Sequence, residues 1–175
     1  MQWPGVVSLA FALFIVASVT DWADGYVARK YNMITDFGKL MDALADKVLM
    51  VGMFVLLLSI PDFLPRWSIF FVLIIITREF LITGLRLVAA TRGKVLAAET
   101  GGKVKTVVQI VAISLLLLAR GLDKDYGFEG LPVTVVFYLG MLAFALSTLL
   151  TLQSGFQYLY KYGHLLKPST GTAQE

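Results

Sequence analysis

The sequence predicts an all-α fold, a polytopic integral membrane bundle of about five transmembrane helices, on three observations. Hydrophobic residues fill 58% of the 175 positions and charged residues only 15%, against roughly 45–50% and 25% in soluble domains. The mean hydropathy of +0.78 says that the excess apolar mass faces lipid. The apolar residues also gather in five stretches, 4–20, 40–60, 67–90, 104–119 and 133–160, most of them near the ~20 residues that cross a bilayer as helix.

The first stretch has no basic residue ahead of it and no small-residue cleavage site behind it, and it runs into an aspartate-rich segment. It is therefore read as a retained helix and not as a secretory signal. Pro61 and Pro65 bracket the turn after the second stretch; Gly121, Gly127, Gly130 and Pro132 mark the turn after the fourth. The polar tail 168–175 reads as disordered, which leaves 1–167 as a single transmembrane domain without internal repeats.

Charge placement orients the bundle. Arg29, Lys30, Lys39, Arg92, Lys94, Lys103, Lys105, Lys161 and Lys167 fall at one side, and Arg66, Arg120 and Lys124 at the other, together with Asp62, Asp123, Asp125 and Glu129. The positive-inside rule makes the first side cytoplasmic, and five crossings then put the N-terminus outside. The surplus of 15 basic over 12 acidic residues is too small to suggest a nucleic-acid partner. With no cysteine, thiolate metal sites, disulfides and cysteine nucleophiles are excluded. His164 is given no role.

The chemistry gathers in two segments. Asp21, Asp24, Gly25 and Ala28 stand at i, i+3, i+4 and i+7, one face of a helix, with Arg29 beside them. Gly38, Asp42 and Asp46 step by four along the next helix and share a face too. The short loop 30–37 makes the two helices antiparallel neighbours, which can bring all four carboxylates together at the cytoplasmic edge of the membrane. Clustered anions at that depth need partners. Hard carboxylate oxygens suit magnesium or manganese, and two such ions about 4 Å apart would neutralise the cluster and grip a diphosphate. Small Gly25 and Ala28 let a bulky ligand, such as a nucleotide, approach the backbone.

These residues complete the pattern D-x2-D-G-x2-A-R-x8-G-x3-D-x3-D, and in it the chain resembles the CDP-alcohol phosphatidyltransferase family at every fixed position. The resemblance implies a helical membrane enzyme that displaces CMP from a CDP-activated lipid with an alcohol. It implies Asp21, Asp24 and Asp42 as metal ligands, and Asp46 as both ligand and general base. Asp21, Asp24, Gly25, Ala28, Arg29 and Gly38 would line the CDP site, around two magnesium or manganese ions.

The segments Thr77-Arg78-Glu79-Phe80 to Arg86 and Gly101-Gly102-Lys103-Val104-Lys105-Thr106 look like the phosphatidylglycerophosphate-forming branch of that family. That likeness implies CDP-diacylglycerol and glycerol 3-phosphate as substrates, in the plasma membrane of a bacterium with the site facing the cytoplasm. Arg78 and Glu79 sit midway along an apolar stretch, where charges are functional candidates. Glu79 and Arg86, seven apart, share a helical face and could pair. Arg78, Arg86, Lys103 and Lys105 are a candidate receptor for the acceptor's phosphate. Members of the family have an amphipathic segment and one more transmembrane helix before the first aspartates. Only twenty residues precede Asp21 here, so that element is expected to be missing.

Other readings stay open at this point. Arg29 also fits the positive-inside rule, Gly38 close helix packing, and Lys103 and Lys105 interfacial snorkelling. The acceptor of a cardiolipin, phosphatidylserine or phosphatidylinositol-type synthase would change only the acceptor pocket. An ion or proton transporter also buries aspartates. The sequence is compatible with a homodimer.

Overall fold

A computed structural model describes residues 5–31, 36–61, 63–91 and 100–163, all helix and turn with no strand among them. The expected tail 168–175 lies outside the described residues. Among the described residues five helices follow one another: α1 Val6–Lys30, α2 Asp36–Ser59, α3 Ser68–Thr91, α4 Thr100–Lys124 and α5 Leu131–Tyr162. Each expected stretch is thus one helix.

Four of them, α1, α3, α4 and α5, hold spans long and apolar enough to cross a membrane. In α2 the apolar part among the described residues is Lys47–Ser59, about 20 Å of helix by the ordinary rise per residue. Its first half carries Asp36, Lys39, Asp42, Asp46 and Lys47. The charged half of α2 thus leaves a shorter apolar length than the other four helices have.

The helices alternate in direction, which brings the C-terminal ends of α1, α3 and α5 and the N-terminal ends of α2 and α4 to one end of the bundle. In the most extensive contact α4 lies against α5, while α1 docks on α4, α3 on α5, and α2 on α3 and α4. Phe14, Phe54, Ile75, Ile113, Leu116 and Phe144 form a core to which every helix contributes. The Phe144 ring stacks on Phe54 at 5.3 Å and meets Phe71 edge-on at 5.6 Å. Gly140 allows the α4–α5 approach, since a Cβ there would lie 3.0 Å from the Leu116 side chain.

Outward faces are apolar as well. Leu9, Leu13 and Val16 on α1, and Leu139, Leu142, Leu146 and Leu149 on α5, are all exposed, which suits lipid and not water. Aromatic side chains collect at both ends, Trp22, Tyr26, Tyr31 and Tyr160 at the aspartate end and Trp67, Tyr126 and Tyr138 at the other, as at membrane–water interfaces.

Gly121 differs from its expected role as a helix stop. It lies inside the last turns of α4, where a Cβ would come within 3.2 Å of the Ser8 hydroxyl of α1. The break is made by Gly127 and Gly130 instead, at φ of 66° and 98°, a region other residues enter at a cost. Pro132 falls in the first turn of α5, where its missing N–H costs nothing.

Candidate active site

α1 stays helical through its aspartates, so Asp21, Asp24 and Gly25 occupy one face near its end. Asp21 and Asp24 are exposed, and Gly25 is half-buried. Trp22 stacks on Tyr26 at 6.0 Å, and the Lys30 ammonium lies 6.0 Å and 5.8 Å from the Tyr26 and Tyr31 rings. Such an aromatic girdle is the kind found at membrane–water interfaces. Gly38, exposed, lies in the first turn of α2. Asp42 and Asp46 follow on the same helix; their side chains, like those of Ala28, Arg29 and Lys103, lie outside the described residues. The donors offered by the motif are all carboxylate oxygens, the set that suits magnesium or manganese.

Toward the middle of the bundle α3, α4 and α5 meet in a polar cluster. Glu79 Oε1 accepts a hydrogen bond from Arg78 Nη1 at 3.2 Å and forms an ion pair with the Lys105 ammonium. Lys105 is buried. Its position argues against a snorkelling side chain, since the ammonium turns inward to Glu79. Arg78 Nη2 donates to the Ser154 hydroxyl at 3.1 Å, and the arginine's stem passes over Gly155, where a Cβ would lie 2.9 Å from its Cγ. One turn along α4, Gln109 Nε2 donates to Thr151 Oγ1 at 3.4 Å. Arg78 also lines an apolar groove of about 360 Å³ between α3 and α5.

The expected Glu79–Arg86 pair does not form. Arg86 instead donates from Nε to the Tyr158 hydroxyl at 3.2 Å. Two closer cations satisfy Glu79, one adjacent on its own helix and one brought by α4. Arg78 and Lys105 are thus brought together, while Arg86 stands two turns nearer the aspartate end of the bundle.

Sequence reasoning missed Gln109, Thr151, Ser154 and Tyr158. For the three on α5 the signal is a polar row at 147, 151, 154 and 158, at helical spacing, within the otherwise apolar helix. Ser147 and Thr151 bond back to their own helix, at Phe144 O and Ser147 O, at 2.8 and 2.7 Å, which lets hydroxyls sit at membrane depth.

At the opposite end one carboxylate holds two cations. Arg120 Nη1 lies 3.2 Å and Lys124 Nζ 3.7 Å from Asp123 Oδ2, and the Arg120 guanidinium rests 5.1 Å from the Phe63 ring centroid.

Comparison with known proteins agrees with this arrangement. A CDP-diacylglycerol–glycerol-3-phosphate 3-phosphatidyltransferase of Bacillus subtilis (strain 168) is 45% identical over 158 residues, 90% of this chain and 75% of the relative. The enzyme of the same name from Rickettsia bellii is 36% identical over 152 residues, 86% of this chain and 76% of the relative. The profile described as CDP-alcohol phosphatidyltransferase matches residues 3–153, a span that takes in the aspartates of α1 and α2 and the charged cluster of α3 and α4. A bundle of membrane helices, with the complete aspartate motif at one end, belongs to the CDP-alcohol phosphatidyltransferase family.

Proposed function

We propose that the protein transfers the phosphatidyl group of CDP-diacylglycerol to the primary hydroxyl of glycerol 3-phosphate, giving phosphatidylglycerophosphate and CMP. The observation that carries the acceptor is the set of cations, Arg78 and Lys105 around Glu79 with Arg86 beyond them, at the same half of the bundle as the aspartate motif. A dianionic acceptor entering beside carboxylates needs such cations; neutral inositol or zwitterionic serine needs fewer. The names of the bacterial relatives support the same substrates.

Asp21, Asp24, Asp42 and Asp46 would hold two magnesium or manganese ions. Bound there, such ions would supply Lewis acidity toward the diphosphate and offset its charge. Asp46 takes the proton of the acceptor hydroxyl. The freed oxygen attacks the lipid phosphorus, an O–P bond forms, and the bond to the CMP oxygen breaks. Gly25, Ala28 and Gly38 leave room for the nucleotide, with Arg29 near its phosphates. Arg78, Arg86, Lys103 and Lys105 bind the acceptor's phosphate. The site faces the cytoplasm from a bacterial plasma membrane, where both polar substrates arrive, and the lipid tails enter sideways from the bilayer.

The test is CMP release from CDP-diacylglycerol by detergent-purified protein with magnesium and one acceptor at a time. Release with glycerol 3-phosphate and not with inositol, serine or phosphatidylglycerol is the expected result. A preference for any of the others overturns the acceptor assignment, and no release with any of them overturns the reaction.

A further inference from the structure

Arg86 is exposed, yet its guanidinium is held at the root. Its Nε donates to the Tyr158 hydroxyl at 3.2 Å, and its Cζ lies 5.5 Å from the centroid of the same ring. Tyr158 itself is only 2% exposed and packs with Ile82, Leu85 and Ala89 of α3. The Tyr162 ring lies 4.8 Å from it. A phenylalanine would fill that pocket equally well, so packing does not account for the hydroxyl. In a membrane helix pair a buried hydroxyl costs free energy unless it is bonded, and the bond recorded for it is the one to Arg86.

Arginine recognises phosphate with a planar fork of N–H groups, and the fork works best when its orientation is set before the ligand arrives. The Tyr158 contact engages Nε and one face of the guanidinium, which are not the terminal nitrogens. We propose that Tyr158 is a positioning residue of the acceptor site, which aims the terminal nitrogens of Arg86 at the phosphate of the phosphorylated alcohol. This rests on the assignment of Arg86 to that phosphate. Tyr158 does not touch the acceptor and acts only through Arg86. Ser154, one turn earlier on α5, also bonds an arginine of α3, but at the terminal Nη2 of Arg78, so only the Tyr158 contact leaves the fork's terminal nitrogens to a ligand.

The experiment is a double-mutant cycle on the full chain in detergent with saturating CDP-diacylglycerol. Tyr158→Phe is expected to raise the KM for glycerol 3-phosphate about 5- to 10-fold, the net worth of one ordinary hydrogen bond, with kcat and the KM for the lipid unchanged. In the Arg86→Ala background the same substitution is expected to add nothing. An unchanged KM, or an equal rise in both backgrounds, overturns the positioning role. A thermal midpoint lowered together with a changed kcat, as for a purely structural tyrosine, overturns it too; Arg86→Lys, which keeps the charge without the fork, should then leave KM as in wild type. If Arg86→Ala leaves the KM for glycerol 3-phosphate unaltered, the assignment of Arg86 itself fails, and this inference with it.

Discussion

Asp125 caps Ser8 across the bundle. One oxygen of the Asp125 carboxylate accepts the Ser8 N–H at 2.7 Å and the Ser8 hydroxyl at 2.6 Å, and the other accepts the Gly5 N–H at 3.1 Å. A residue of the α4–α5 turn thereby satisfies the open N–H groups of α1, a cap supplied in trans. Its negative charge also faces the positive end of the α1 dipole. The helix that carries Asp21 and Asp24 is thus tied at its far end to the helix that carries Lys105.

This tie should depend on pH. Desolvation raises the Asp125 pKa, but the hydrogen bonds from Ser8, Gly5 and Val7 outweigh it and hold the carboxyl below its ordinary range. The folded state therefore binds the proton less tightly than the unfolded one. Its stabilisation is complete above about pH 4, the unfolded carboxylate value, and is lost as pH falls through the lower folded value. Asp125→Ala is expected to cost about 1 kcal/mol at pH 7, as for loss of a cap. Thermal unfolding in detergent from pH 7 to pH 3 should show the gap between wild type and variant closing at the acid end. A constant gap would contradict the ionic cap.

The aspartate motif predicts a division of labour. Asp21→Asn, Asp24→Asn and Asp42→Asn should each lower turnover at least ~100-fold, since several kcal/mol of charge stabilisation are at stake. Asp46→Asn, assayed at saturating metal, should still bind metal through the other three aspartates and lose about 10²–10⁴-fold in rate, for want of a base. CMP release with and without EDTA, and with each variant, checks both statements. Undiminished turnover in EDTA would remove the metal from the reaction.

The pairing around Glu79 predicts an effect on stability as well as on the acceptor. Lys105→Met strands a partly buried carboxylate with one cation fewer, and breaking a buried pair costs several kcal/mol. Adding Glu79→Gln should restore much of the thermal midpoint, because the orphaned charge is gone, while the KM for glycerol 3-phosphate stays raised. Melting curves of the two single variants and the double variant decide this. A double variant no more stable than Lys105→Met would mean that the pair carries no such cost.

Topology gives a prediction independent of catalysis. Tyr31 at the end of α1 and Lys124 at the end of α4 are exposed and lie at opposite ends of the bundle. Cysteines placed singly at these positions in this cysteine-free chain should react with an impermeant thiol reagent from opposite sides, Tyr31→Cys from the cytoplasm. Labelling of both from one side would contradict the arrangement of the spans.

Local spacing alone determined the helices, their order and the carboxylate face of α1. A run of apolar residues about as long as a bilayer is thick has few alternatives to helix, because every backbone group must be bonded within the segment. The motif at Asp21–Asp46 is equally legible, since i, i+3, i+4 and i+7 fall together on any helix. Partners between helices are a different matter. On α3 alone Glu79 has Arg78 beside it and Arg86 two turns away, and only the docking of α4, which brings Lys105 to Glu79, left Arg86 to Tyr158. Gly121 likewise reads as a stop in one dimension and is an inter-helix contact with Ser8 in three. A desolvated charge or a missing Cβ is answered by whatever atom lies within a few ångströms, and across a bundle that neighbour is chosen by packing and not by the order of residues along the chain.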